Sequence, residues 1–428
     1  MLKTIPHLLI SDAQGRFSDI PQIAMAGRSG KNTVPVAADT LIPLPEGSQL
    51  YFLPQRKAMG YDRKTGELIV FDDAYAVAAY IPPSYTHYLM AAYETITGAP
   101  RLPLFSFTAV GYYRGRYYVP AVHVDEDIKQ LPTSFDDKKV KHAVDAWIVR
   151  HPNNRLLAHH GHACAIEYGC PNAKNLFLGR WEAPVAVASA CNANCVGCIS
   201  FQPKESVPSP QNRLDFVPTV EEIVEYAVPH LEKAEHAILS FGQGCEGEPL
   251  LRGKLIEDSI RAIRRHTKRG VIHINTNGSK PDTLARLFDA GLDSVRVSMN
   301  SAQLDLYHRY YKPNNYTFDD VVRSLKVARD HKKFASINYF VFPGITDSQA
   351  EIRALMDLIA DTKLHLIQWR NFNIDPDWYL NDVVGDYQSK AAGVPSLMRR
   401  VREKFPHLLF GYMNKPAEVI RDAVDRST

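Results

Sequence analysis

The chain has 428 residues, 45% hydrophobic and 23% charged, a globular balance with enough length for two folded units. A formal charge of +3 gives no electrostatic case for nucleic acid, and no apolar run approaches the roughly eighteen residues of a membrane span. The first residues lack a signal-peptide core, so a cytoplasmic setting is expected, where clustered thiols bind metal rather than pair as disulfides.

In residues 1–180, hairpin signals occur at 61–70 around Lys64-Thr65-Gly66 and at 110–119 around Arg114-Gly115. A helical stretch at 137–149 follows, and together these predict an α+β accessory region. From residue 181 strands and helices alternate. Strands are predicted at 184–190, 237–241, 271–276, 294–299, 337–342 and 364–369. Between them, Thr219-x-x-Glu222 is a capping box that opens a helix to about residue 234, with Pro229 expected to kink or shorten it. Ile256, Ile260 and Ile263 mark the next helix, 281–290 another closed by Gly291, and Thr317-x-x-Asp320 caps a further one. Ile352, Leu355 and Ile359 mark the last. Such alternation predicts right-handed βα units on a parallel sheet over 181–385, followed by a helical extension at 386–428.

The chemistry concentrates at predicted strand ends. Cys191, Cys195 and Cys198 place three thiols within eight residues after the first strand. Three thiolates can hold three irons of a [4Fe–4S] cluster and leave the fourth open; taken alone, the run also suits a zinc knuckle. Gly247-Glu248-Pro249 follows the second strand, and Asn275-Thr276-Asn277-Gly278 ends the third. Arg296, Ser298 and Asn300 alternate along the fourth, on one face. Asn338 lies on the fifth, and Gln368 or Arg370 on the sixth.

In this order the motifs resemble the radical S-adenosylmethionine (SAM) superfamily, over residues 184 to about 373. The resemblance implies a partial (β/α)6 TIM-like barrel whose open iron takes the methionine amino and carboxylate groups. Gly247, Glu248 and Pro249 would accept hydrogen bonds from the SAM ammonium. Asn275 and Asn277 would form the polar end of strand three. Arg296 would pair with the SAM carboxylate, and Ser298 and Asn300 would meet the ribose. Asn338 is a further binding candidate. The family usually has an aromatic residue just before the third cysteine, but here it is Gly197, so Phe342 or Ile345 is expected at the adenine. One electron from a ferredoxin or flavodoxin would cleave SAM to a 5′-deoxyadenosyl radical, which takes a hydrogen atom from a peptide or small molecule. Oxygen sensitivity is implied too. The competing readings are a non-catalytic iron–sulfur or zinc redox sensor and an RNA-modifying member of the superfamily.

Cys164, Cys170 and Cys245 are not assigned by that pattern. They suit a second iron–sulfur cluster, with His162 or substrate on its fourth iron, provided the sulfurs lie within roughly 7 Å, as metal–thiolate bonds of about 2.3 Å require. They also suit plain buried thiols, or a catalytic role for Cys245 as a hydrogen-atom donor or acceptor.

Overall fold

The computed structural model describes residues 4–387 and 389–427. The accessory region is richer in strand than its two hairpin signals suggest. Residues 7–123 form a twelve-stranded sheet whose pairings are antiparallel. Both predicted hairpins are present. Gln49–Asp62 and Leu68–Tyr80 pair with Tyr61 opposite Leu68, and Asp62 Oδ1 accepts from Lys64 N and Thr65 N to set the turn. Gly111–Tyr113 meets Arg116–His123 through Arg114 and Gly115, both at positive φ (49° and 83°), as a two-residue hairpin turn demands. The helix Asp137–Arg150 starts on Asp136, whose carboxylate accepts from Lys138 N and Lys139 N.

The second half is built on a seven-stranded parallel sheet in sequential order. Its strands are Glu182–Val185, Ile238–Phe241, Val271–Thr276, Ser294–Met299, Phe334–Val341, Leu366–Asn371 and Leu409–Gly411. Helices follow most of them and cover the apolar residues, which are almost all fully buried. Both capping boxes form, at Thr219 with Glu222 and at Thr317 with Asp320. The helix Val220–Lys233 runs on through Pro229 and is not shortened by it. Arg264, at the basic end of Gly253–His266, is buried against Asp293 (2.5 Å) and the carbonyls of Gly291, Arg269 and Gly270.

The first strand stops five residues before its predicted end. Val187 N and Ala188 N leave the ladder to donate to Glu246 Oε2 (2.7 and 2.8 Å). The residues expected to form a helical extension give the helices Val394–Lys404 and Ala417–Ser427, but also the seventh strand between them. Among the described residues no helix is long and apolar enough to cross a membrane.

The two sheets meet through buried polar contacts. Thr86 Oγ1 donates to Trp369 O (2.7 Å), and Asn371 Oδ1 accepts from His87 N (2.9 Å). Arg56 and Asp375 form an ion pair at 3.2 Å with both side chains 2% exposed, and Asp375 also accepts from Leu102 N. A pair so thoroughly desolvated adds little net stability, but removing one partner would strand a charge, which fixes how the sheets dock.

Candidate functional site

The C-terminal ends of the parallel strands open on a cavity of about 460 Å3. Cys191, Cys195 and Cys198 line one wall. Their loop is clamped from two sides. Asn194 N and Val196 N donate to Tyr311 O and Tyr310 O at the end of the helix Leu304–Tyr311, both at 3.0 Å. Gly247 N and Glu248 N donate back to Ala188 O and Ala190 O (2.7 and 2.9 Å). Gly247 is required there, since a Cβ would lie 2.0 Å from Ala190 O. Burial pushes the Cys191 thiol up to about 11 and that of Cys195 further, so these sulfurs stay protonated until a metal displaces the proton. Arg213 Nη2 sits 3.7 Å from Cys198 Sγ, a cation beside a prospective thiolate.

The Gly247-Glu248-Pro249 turn lies on the cavity wall, but its carboxylate is already engaged. Glu248 accepts from Leu250 N (2.9 Å), Thr276 Oγ1 (2.5 Å) and Asn277 N (2.8 Å), so it ties the second strand's loop to the end of the third. Burial lifts its pKa to about 7 against these bonds. Glu246, which the sequence reading passed over, does similar work: it accepts from Val187 N, Ala188 N and Gln243 N, and burial raises it to about 8.

Asn275, Asn277, Arg296, Ser298 and Asn338 all line the cavity. Asn275 Nδ2 is spent on Gly242 O (2.7 Å) and its Oδ1 on His273; Asn277 bonds Asn192 (2.9 Å). These two asparagines shape the wall rather than offer free groups. Arg296 Nη1 donates to Gln368 Oε1 (2.6 Å), while Arg296 Nε, Arg370 Nε and Asn338 Oδ1 are buried with no hydrogen-bond partner. Burial, reinforced by the Arg370 charge, lowers Arg296 to about 9. Unpaired buried polar atoms are costly, so this part of the wall has hydrogen-bonding capacity left for a ligand or water.

Three of the expected residues lie off the cavity wall. Asn300 does not line the cavity; it lies one residue past the strand and its Nδ2 bonds Leu306 O and Tyr379 Oη (3.1 and 3.2 Å). Phe342 likewise follows the end of its strand and packs on Tyr379, 4.7 Å between ring centroids; Phe340, two residues earlier, faces the cavity. Cys245 is not on the cavity wall; its sulfur lies 3.5 Å from Cys164 Sγ. Tyr310 was missed. It fills the space beside Gly197, where a Cβ would lie 3.1 Å from Tyr310 Oη, so the aromatic group absent from the cysteine loop comes from a helix.

A loop of three thiols opening on a polar-walled cavity at parallel-strand ends suits an iron–sulfur cluster with room beside it for a cofactor. Residues 185–358 match the family model described as the Radical SAM superfamily, whose members use a [4Fe–4S] cluster and SAM. A GTP 3′,8-cyclase of Helicobacter pylori is 24% identical over 209 residues, 48% of this chain and 59% of that one. Another from a Sulfurovum species is 26% identical over 183 residues, 42% and 52%. The chain thus spans little more than half the length of these relatives. Among solved structures, Streptococcus suis SuiB bound to its precursor peptide SuiA is similar at 16% identity and a TM-score of 0.37, covering 56% of this chain and 52% of that one. Methylornithine synthase (PylB) is similar at 12% and 0.37, covering 64% and 74%.

Proposed function

We propose that the parallel sheet is an open (β/α) barrel and that the enzyme acts on a small molecule carrying an anionic group. Edge contacts support the barrel. Asn414, just after the seventh strand, donates to Glu182 Oε1 on the first (2.8 Å) and accepts from Gln368 on the sixth (3.2 Å). A residue just beyond the last strand thus reaches the first, as an open barrel would allow.

The residues present fit both cofactors. Cys191, Cys195 and Cys198 would hold the cluster, and the wall formed by the Gly247–Pro249 turn, Arg296, Ser298 and Asn338 would take SAM. When bound, the pair supplies a 5′-deoxyadenosyl radical able to abstract hydrogen. The chain's own part is to orient and to exclude water. Tyr310, Phe340 and Phe372 form an apolar side of the cavity, with Phe340 and Phe372 stacked at 5.0 Å and Tyr310 edge-on to Phe372 at 5.1 Å.

The single observation that carries the substrate reading is a pair of half-buried arginines, Arg296 and Arg370, each with a buried, unpartnered Nε in one cavity. SAM brings one carboxylate, which accounts for one arginine. Arg370, held over the Tyr412 ring at 4.0 Å, is left for the substrate. The names of the two curated relatives make a nucleoside triphosphate the first class to try, with a ferredoxin or flavodoxin supplying electrons.

The test is release of 5′-deoxyadenosine above the substrate-free rate, across nucleoside triphosphates, other anionic small molecules and peptides. An anionic small molecule should stimulate release, and Arg370→Ala should raise its KM roughly tenfold to a hundredfold, as loss of a charged hydrogen bond predicts. SAM affinity should stay within about twofold, since Arg370 is assigned to the other ligand. Stimulation by an uncharged peptide alone, or equal weakening of SAM by Arg370→Ala, would refute it.

A further inference from the structure

Behind the loop that carries Glu246 and Glu248 lies a second cluster of metal-ligating groups. Cys164 and Cys245 are buried with their sulfurs 3.5 Å apart, and a ring nitrogen of His159 lies within 4.8 Å of both. His159 Nε2 is buried and has no hydrogen-bond partner. Cys170 borders the same small cavity, of about 40 Å3, together with Cys164 and Cys245, and its backbone N donates to Cys164 O (2.8 Å). We infer that His159, Cys164 and Cys245 bind a single tetrahedral zinc ion, whose fourth ligand, Cys170, would move in from outside the 4.8 Å set.

Spacing decides between one ion and a second cluster. Two thiolates on one tetrahedral zinc, with Zn–S bonds of about 2.3 Å, lie about 3.8 Å apart. The observed 3.5 Å needs only a small adjustment. Thiolates on different irons of a cubane point away from separate metals and stand further apart. The chain provides its own comparison: among the described residues, His159, Cys164 and Cys245 are the one set of three such ligands within 4.8 Å, and Cys191, Cys195 and Cys198 are not. The expected fourth partner His162 is exposed and His159 takes its place.

The backbone is shaped to make this set. His159 and Cys164 are five residues apart, which on an α-helix of 3.6 residues per turn would put them about 140° apart. Here the α-helix Arg155–His159 continues as the π-helix His160–Glu167. Its i→i+5 hydrogen bonding brings residues five apart toward one face, and such turns are rare and often sit at functional sites. Cys245 comes from the other side, on the loop between the second strand and Glu246, whose carbonyl Cys245 O is held by Leu214 N (2.7 Å). An imidazole with thiolates in a closed, buried pocket is a structural zinc donor set. The ion would staple the accessory helices to the back of the loop that forms the SAM wall.

Metal analysis of the anaerobically purified full chain tests this. One zinc per chain is expected beside the iron of the SAM cluster, retained in Cys191→Ala, which loses the iron. That variant separates this site from the cluster reading above. Cys164→Ser and Cys245→Ser should each reduce zinc at least tenfold while keeping the iron absorbance. Should those variants fold poorly, wild-type protein produced with cobalt in place of zinc should show the visible ligand-field bands of tetrahedral thiolate-bound cobalt(II). About eight irons and no zinc would mean a second cluster. A Cys164–Cys245 disulfide in anaerobic protein, zinc that persists in both serine variants, or absence of the cobalt bands would equally overturn the inference.

Discussion

Gly247→Ala probes the junction on which the site depends. The glycine N–H bonds Ala188 O at 2.7 Å, the next residue's N–H bonds Ala190 O at 2.9 Å, and an added Cβ would fall 2.0 Å from Ala190 O and 3.1 Å from Cys191 N. These are backbone atoms, so no side chain can swing away. The two loops must separate, losing two buried hydrogen bonds at about 1 kcal/mol each and adding overpacking strain of about 1–3 kcal/mol. A loss of about 3–5 kcal/mol is therefore expected, read as a shift in the urea midpoint of the apoprotein at unchanged m-value. Because Ala190 precedes the first cluster cysteine, the iron absorbance near 400 nm and SAM affinity should fall with it. A variant within 0.5 kcal/mol of wild type (about the noise of surface substitutions), with full absorbance, would refute the close approach of these loops.

Glu248→Gln must leave an N–H facing an N–H, because Leu250 N donates to one carboxylate oxygen and Asn277 N to the other. A cost of about 1–3 kcal/mol is expected in urea denaturation with the iron content intact, and unchanged stability would show that the carboxylate does not tie these loops. His230 is a neutral buried imidazole whose Nε2 bonds Trp181 O (2.8 Å), with burial lowering its pKa to about 4. Its folded value lies below the ordinary 6.5, so the unfolded chain takes up the proton first as pH falls. Its stabilising contribution, complete above pH 6.5, should be lost between about 6.5 and 4 at about 1.4 kcal/mol per pH unit. His230→Asn should lack that part of the slope, and identical slopes in denaturant titrations would count against the assignment.

The strands of the parallel sheet were legible because they alternate with helices marked by capping boxes and 3.6-residue apolar spacing. Leu409–Gly411 was not, since three residues cannot show a period. Alternation placed Arg296 and Ser298 on the cavity face, but it holds only while the strand lasts. Asn300 and Phe342 lie one residue beyond Met299 and Val341, where the chain is free to turn to other partners. Tyr310 carries no local signal, because it reaches the cavity from a helix through the gap left by Gly197. The long accessory strands mix exposed and buried residues and pair across large sequence distances, which local pattern does not encode. The cysteines outside the main motif were recognisable as a group. The π-helix that turns His159 rather than His162 toward them was not.

The most direct test of the central claim is to supply the anaerobic, reduced, iron-loaded protein with SAM and quantify the products. Wild-type chain should release 5′-deoxyadenosine and methionine in equal amounts at a slow rate without substrate, and Cys195→Ala should release neither. Intact SAM after incubation with fully iron-loaded, reduced wild-type protein, or zinc in place of iron at Cys191, Cys195 and Cys198, would contradict the account.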